Sequence, residues 1–161
     1  NGVEIRESSI TDYVAQFRLD NDLIEDAAWV SWLQDNEWDP EIARSEVVNY
    51  YVDLELKKQL CAEYEVKITS EEIEEALDEV KAEFESEEAY LEALDASGMT
   101  EEEYRESVIR EQVEEEKLRE ILLGPESNLE DWEECLDGLR NEADIVCTDM
   151  PEDLPYDVEM P

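Results

Sequence analysis

A mainly α-helical fold is predicted by three features of this sequence. Apolar residues recur at three- and four-residue spacing through most of the chain. Capping residues stand just before these runs, and Gly or Pro stands just after several of them. The 161 residues are a single-domain length, enough to bury roughly 70% of the unfolded surface. The expected organisation is one helical domain over residues 1–148, with an N-terminal strand, five to six helices and a closing helix and strand. A Pro-rich acidic tail follows at 149–161.

Taken in order, "NGVEI" reads as a turn feeding a short strand, and Ser9 with Asp12 as the start of a helix over "ITDYVAQFRL". The segment 21–39 looks irregular, yet Trp29, Trp32 and Leu33 would share one face of any helix formed there. Asp39-Pro40 is a capping carboxylate followed by proline at the first helical position. The helix it opens should run to about Tyr64, with Ile42, Val47, Tyr50, Tyr51, Leu54 and Leu60 as its apolar stripe. "EVKI" is an extended connector. Thr69 with Glu72 is a capping box, and Ile73, Ala76, Leu77 and Val80 mark one buried face. Ser86 starts the next helix, which Gly98 ends as a left-handed cap. Thr100 with Glu103 repeats the capping box for a long helix to Leu123, closed by Gly124-Pro125. Asn128 caps the last helix, with Trp132, Leu136 and Leu139 on one side. "DIVCT" is a strand candidate, and "MPEDLPYDVEMP", with three of the five prolines, reads as a loose tail or edge segment.

Charge narrows the function classes. Fifty acidic residues stand against 12 basic ones, for a net charge of −38 without a single histidine. Such a surface repels nucleic-acid phosphates and anionic lipid, and it attracts basic segments and cations. No run approaches the roughly 18 apolar residues of a membrane span, so a membrane tie is expected only through an upstream anchor. The chain opens at Asn1 rather than methionine and reads as a trimmed or processed piece. Cys61, Cys135 and Cys147 follow no metal spacing, which leaves one disulfide with a spare thiol, or three buried thiols.

Little here resembles catalysis. The carboxylates fall on helix faces that capping and solvation already explain, so none is singled out as a general acid. Without histidine the usual triads are missing, and no Gly-rich phosphate loop or calcium loop is present. No cofactor and no enzymatic activity are expected. The aromatic residues are more informative. Most should be core, but an apolar cleft between helices is the alternative, and Trp29, Trp32, Tyr50, Tyr51, Tyr90, Met99 and Tyr104 are the peptide-binding candidates.

Several of these segments together resemble the chaperone domain of SurA-like and PrsA-like extracytoplasmic foldases. "NGVEI" is similar to that domain's opening strand. "VVNYYVDLELKKQLCAEYEVKITSEEIEEAL" resembles its next helix, connector and following helix, and "SEEAYLEALDASGMTEEEYRESVIREQVEEEKL" its short helix, turn and long helix. "WEECLDGLRNEADIVC" resembles the closing helix and strand. The resemblance covers residues 1–5 and about 47–147. It implies a SurA N-terminal-like fold in which Val3–Ile5 pairs with Ala143–Cys147. It further implies an ATP-independent holdase for unfolded or partly folded clients outside the cytoplasm. A parvulin-type prolyl isomerase, which such proteins usually insert after the long helix, would have to fit in "LGPESN"; with no histidine, isomerase activity is not expected. A homodimer formed by arm exchange is compatible with this reading. The alternative is an acidic helical module that binds one specific basic partner.

Overall fold

Helix ends set the architecture, and they follow from local chemistry. In the computed structural model, which describes residues 2–160, the order is α1 (Glu7–Asp20), α2 (Asp26–Asp35), α3 (Pro40–Glu63), α4 (Ser70–Ala82), α5 (Glu87–Ser97) and α6 (Glu101–Tyr104). A π-helical turn (Arg105–Ile109), α7 (Arg110–Leu123) and α8 (Leu129–Glu142) complete it. The chain is mainly helical, as predicted, and both capping boxes form: the Thr69 and Thr100 hydroxyls accept from the backbone N–H of Glu72 and Glu103, whose carboxylates accept in return. Asp39 accepts from the N–H of Ile42 at 2.8 Å, Ser86 from Ala89, and Asn128 from Asp131.

Four helices close with one motif. After α1, α2, α3 and α5 the residues Asp22, Glu37, Glu65 and Gly98 adopt φ of +58°, +58°, +50° and +71°. Each time the next N–H reaches back five residues: Leu23 to Arg18, Trp38 to Leu33, Val66 to Cys61, and Met99 to Leu94. This is the Schellman closure, in which the residue after the left-handed one is apolar and turns inward. Only Gly98 is the residue type that adopts this conformation without cost.

The long helix from Glu101 contains a feature that spacing alone left open. In an unbroken α-helix Tyr104 and Val108 would share a face. The π turn admits one extra residue, so Tyr104 packs against a core that contains Ile109, fully buried, while Val108 is 40% exposed. The Ser107 hydroxyl donates to the Glu103 carbonyl within this turn, a back-bond that loosens the regular ladder.

The chain divides into two compact units, Asn1–Leu56 with Leu139–Pro161, and Lys57–Gly138. The first unit has a core of Ile10, Val14, Trp29, Leu33, Ala43, Val47 and Tyr156. The second is built around Ile73, Leu77, Tyr90, Leu94, Ile109 and Val113.

Three expectations need correction. α1 begins at Glu7, so Ser9 lies inside it and caps nothing. No strand forms among the described residues: Val3–Ile5 and Ala143–Cys147 are irregular and do not pair, and Val146 is almost fully exposed. With charged residues interleaved and no neighbouring strand, their short apolar runs have no ladder to join. The third concerns the C-terminal segment, which is not loose. Tyr156 is 1% exposed, and Met150, Leu154, Val158 and Met160 pack against the first core. Asn1 of the expected opening turn and Pro161 of the expected tail lie outside the described residues.

Scarce cations are placed between elements. Seven of the twelve basic residues join different helical segments: Arg18–Asp26, Arg44–Glu7, Lys57–Glu115, Lys81–Glu101, Arg105–Glu74, Lys117–Glu72 and Arg140–Asp53. Partly exposed pairs contribute at most about 1 kcal/mol each. Here each also relieves repulsion where two acidic helices approach.

Candidate functional site: an aromatic cleft and a tethered tail

The first unit contains an apolar cleft of about 220 Å³. α1 contributes Tyr13, Val14 and Phe17, and α2 contributes Trp29 and Trp32. Trp38 enters from the Schellman closure of α2, and α3 adds Ala43, Glu46, Val47 and Tyr50. Tyr13 with Phe17, Ala43 with Val47, and Glu46 with Tyr50 are four apart on their helices, so each pair presents one face. The volume falls below the roughly 300–1,000 Å³ common for small-molecule pockets, and it suits one inserted side chain.

The floor is stacked. Trp29 and Trp32 stack with centroids 5.2 Å apart and planes 7° apart; Trp38 meets Trp32 edge-on at 5.4 Å and Phe17 meets it at 5.1 Å. Trp29 is 1% exposed, and its indole N–H donates to the Tyr156 carbonyl at 3.0 Å. The Arg18 guanidinium lies over its ring at 5.5 Å. The rim is accessible: Tyr13 and Tyr50, with centroids 5.1 Å apart, are 38% and 43% exposed. Glu46 is the single charged side chain in the lining.

Behind Trp29 the C-terminal segment is fastened by polar contacts. The Tyr156 hydroxyl donates to Glu7 Oε1 at 3.0 Å, and the Arg44 guanidinium donates to both oxygens of the same carboxylate at 2.8–3.2 Å. Arg18 donates to the Pro155 carbonyl at 3.1 Å and to the Leu23 and Ile24 carbonyls. The Arg44 hydrogen bond, reinforced by Tyr156 and opposed by burial, holds the Glu7 carboxyl below its ordinary range. Burial, with the bond to Glu7, pushes the Tyr156 phenol up.

The seven sequence candidates do not form one site. Trp29, Trp32 and Tyr50 line the cleft, though Trp29 is floor and not contact surface. Tyr51 stands beside it, edge-on to Tyr13 and Tyr50, with its hydroxyl donating to the Ser9 carbonyl. Tyr90 and Tyr104 belong to the core of the second unit, and Met99 is the half-buried residue after Gly98 there. Sequence reasoning missed Tyr13, Phe17, Trp38, Glu46 and Tyr156. The first two were visible as an aromatic i, i+4 pair, and Trp38 as the residue just before a capped helix start. Nothing local marks Tyr156.

Among the described residues no cluster of His, Cys, Asp or Glu could hold a metal ion, and no helix is long and apolar enough to cross a membrane. The three cysteines are free: burial raises the thiol pKa of Cys61 and Cys135, whereas Cys147 is exposed. No family model matches this chain, and neither does any curated protein or solved structure.

Proposed function

We propose that this protein is an ATP-independent holdase that binds unfolded or partly folded polypeptides outside the cytoplasm, through the aromatic cleft of its first unit. The observation that carries the reading is the combination of a stacked Trp floor with an accessible Tyr rim, in a chain of net charge −38. A cleft that admits one large apolar side chain binds many sequences weakly, as a holdase must. The surrounding carboxylates keep the open face soluble and accelerate encounter with basic clients, an effect that salt weakens. The SurA-like fold and the extracytoplasmic setting belong to the same proposal and rest on the sequence resemblance.

The test is light scattering from a chemically unfolded client diluted into buffer at physiological salt. Suppression at near-stoichiometric protein, lost on Tyr13→Ser/Tyr50→Ser with helix content unchanged, is the expected result. No suppression by a sample shown to be folded refutes the holdase and favours an acidic module with one basic partner.

A further inference from the structure

The C-terminal segment is bound as a peptide ligand is bound. Residues 150–160 form no regular secondary structure, and the chain joining them to α8 is irregular and exposed over 144–149. What fixes the segment is one fully buried side chain, two backbone carbonyls and the apolar side chains of Met150, Leu154, Val158 and Met160 packed beside it. Tyr156 fills a pocket in the first core, Trp29 donates to its carbonyl, and Arg18 donates to the carbonyl of Pro155. Donors aimed at carbonyls read the backbone of this turn whatever its side chains, whereas the Glu7 carboxylate reads the phenol.

The charged groups of the socket are also held by partners outside the segment. Arg18 and Arg44 are the buried charged side chains among the described residues, in a chain with only 12 basic residues. Arg44 positions Glu7, and Arg18 is held by the Leu23 and Ile24 carbonyls and by Asp26. Meanwhile Glu152, Asp153, Asp157 and Glu159 of the segment are exposed. Recognition therefore centres on Pro-Tyr within the turn Leu154–Asp157, flanked by apolar side chains.

We propose that this socket is a recognition site for segments of other proteins that carry tyrosine after proline in a turn flanked by apolar residues, with residues 150–160 as its resident, displaceable occupant. It does not rest on the holdase reading, since it uses the indole N–H, Glu7 and Arg18 and not the open rim of the cleft. The tethered segment competes at an effective concentration of order millimolar, so an outside peptide gains access when the tether's anchor is weakened.

The experiment uses the full chain and a fluorescein-labelled peptide, MPEDLPYDVEM, read by anisotropy. Tyr156→Ala should bind it at least tenfold more tightly than the unmodified protein does, while the same peptide with alanine for tyrosine binds neither. Adding Glu7→Gln to Tyr156→Ala should erase the preference for a tyrosine peptide over its phenylalanine counterpart. Equal binding of the tyrosine and alanine peptides, or none, overturns the proposal. So does loss of helical circular dichroism in Tyr156→Ala, which would make the segment a fixed part of the core. A tail-dependent dimer of the unmodified protein in sedimentation would also overturn it, by assigning the socket to a second copy.

Discussion

Trp29→Phe tests the joint between the cleft and the tail. The substitution keeps an aromatic ring at a site that is 1% exposed, but it removes the indole N–H that serves the Tyr156 carbonyl. Leaving a buried carbonyl without its donor costs about 1–3 kcal/mol. The smaller ring gives up apolar burial worth about 1–2 kcal/mol, at roughly 0.8 kcal/mol per buried CH₂-sized group. The sum, about 2–5 kcal/mol, is a large part of the roughly 5–15 kcal/mol that holds a typical domain folded. Urea unfolding followed by circular dichroism reads it directly: with a slope of about 2 kcal/mol per molar, the midpoint should fall by about 1–2.5 M with the slope unchanged. Half-buried Trp32→Phe is the control, with a smaller expected loss. A loss below about 0.5 kcal/mol for Trp29→Phe would refute the buried hydrogen bond, and with it the account of how the tail is seated.

Three further outcomes follow from the same geometry. Glu7→Gln should destabilise the protein at neutral pH, and the gap to the unmodified protein should close on acidification. The native carboxyl has a lowered pKa, so its contribution is complete above the unfolded value near 4.3 and disappears as pH falls through the folded value; urea midpoints measured from pH 7 to pH 3 check this. Glu65→Gly should stabilise by up to about 1 kcal/mol, because glycine adopts the +50° φ that ends α3 without steric cost; a loss of stability would mean the Glu65 side chain has a role of its own. The Glu72 carboxyl, bonded first to Lys117 and then to the Thr69 backbone and hydroxyl, is held down to about 2. Carboxyl NMR should show it among the last to protonate, and Lys117→Ala should move it toward the ordinary range.

Legibility in the sequence depended on how local each signal is. Thr69/Glu72, Thr100/Glu103, Asp39-Pro40 and Asn128 declared helix starts because the cap and its partner lie within three residues. The end of α3 near Tyr64 was legible, but its left-handed closure at Glu65, like that of α2 at Glu37, was not, since only the apolar residue that follows each one signals it. Tyr104, Val108 and Ile109 were all legible as apolar, but choosing Ile109 over Val108 required the π turn. The cleft was half legible: Trp29 and Trp32 lie close in sequence, whereas Tyr13 and Tyr50 meet only after α1 packs on α3. Tyr156 was not legible at all, because its partners Glu7 and Trp29 are 149 and 127 residues away.

The central claim is that the accessible aromatic rim binds unfolded chain. The most direct measurement is calorimetric titration of a permanently unfolded polypeptide, such as a reduced and alkylated protein, into the unmodified chain and into Tyr13→Ser/Tyr50→Ser. Both side chains are more than a third exposed, so the fold should survive their loss, as circular dichroism will confirm or deny. The account expects measurable binding by the unmodified chain and at least a tenfold loss in the double variant. Equal affinity for the two, with both folded, would contradict it.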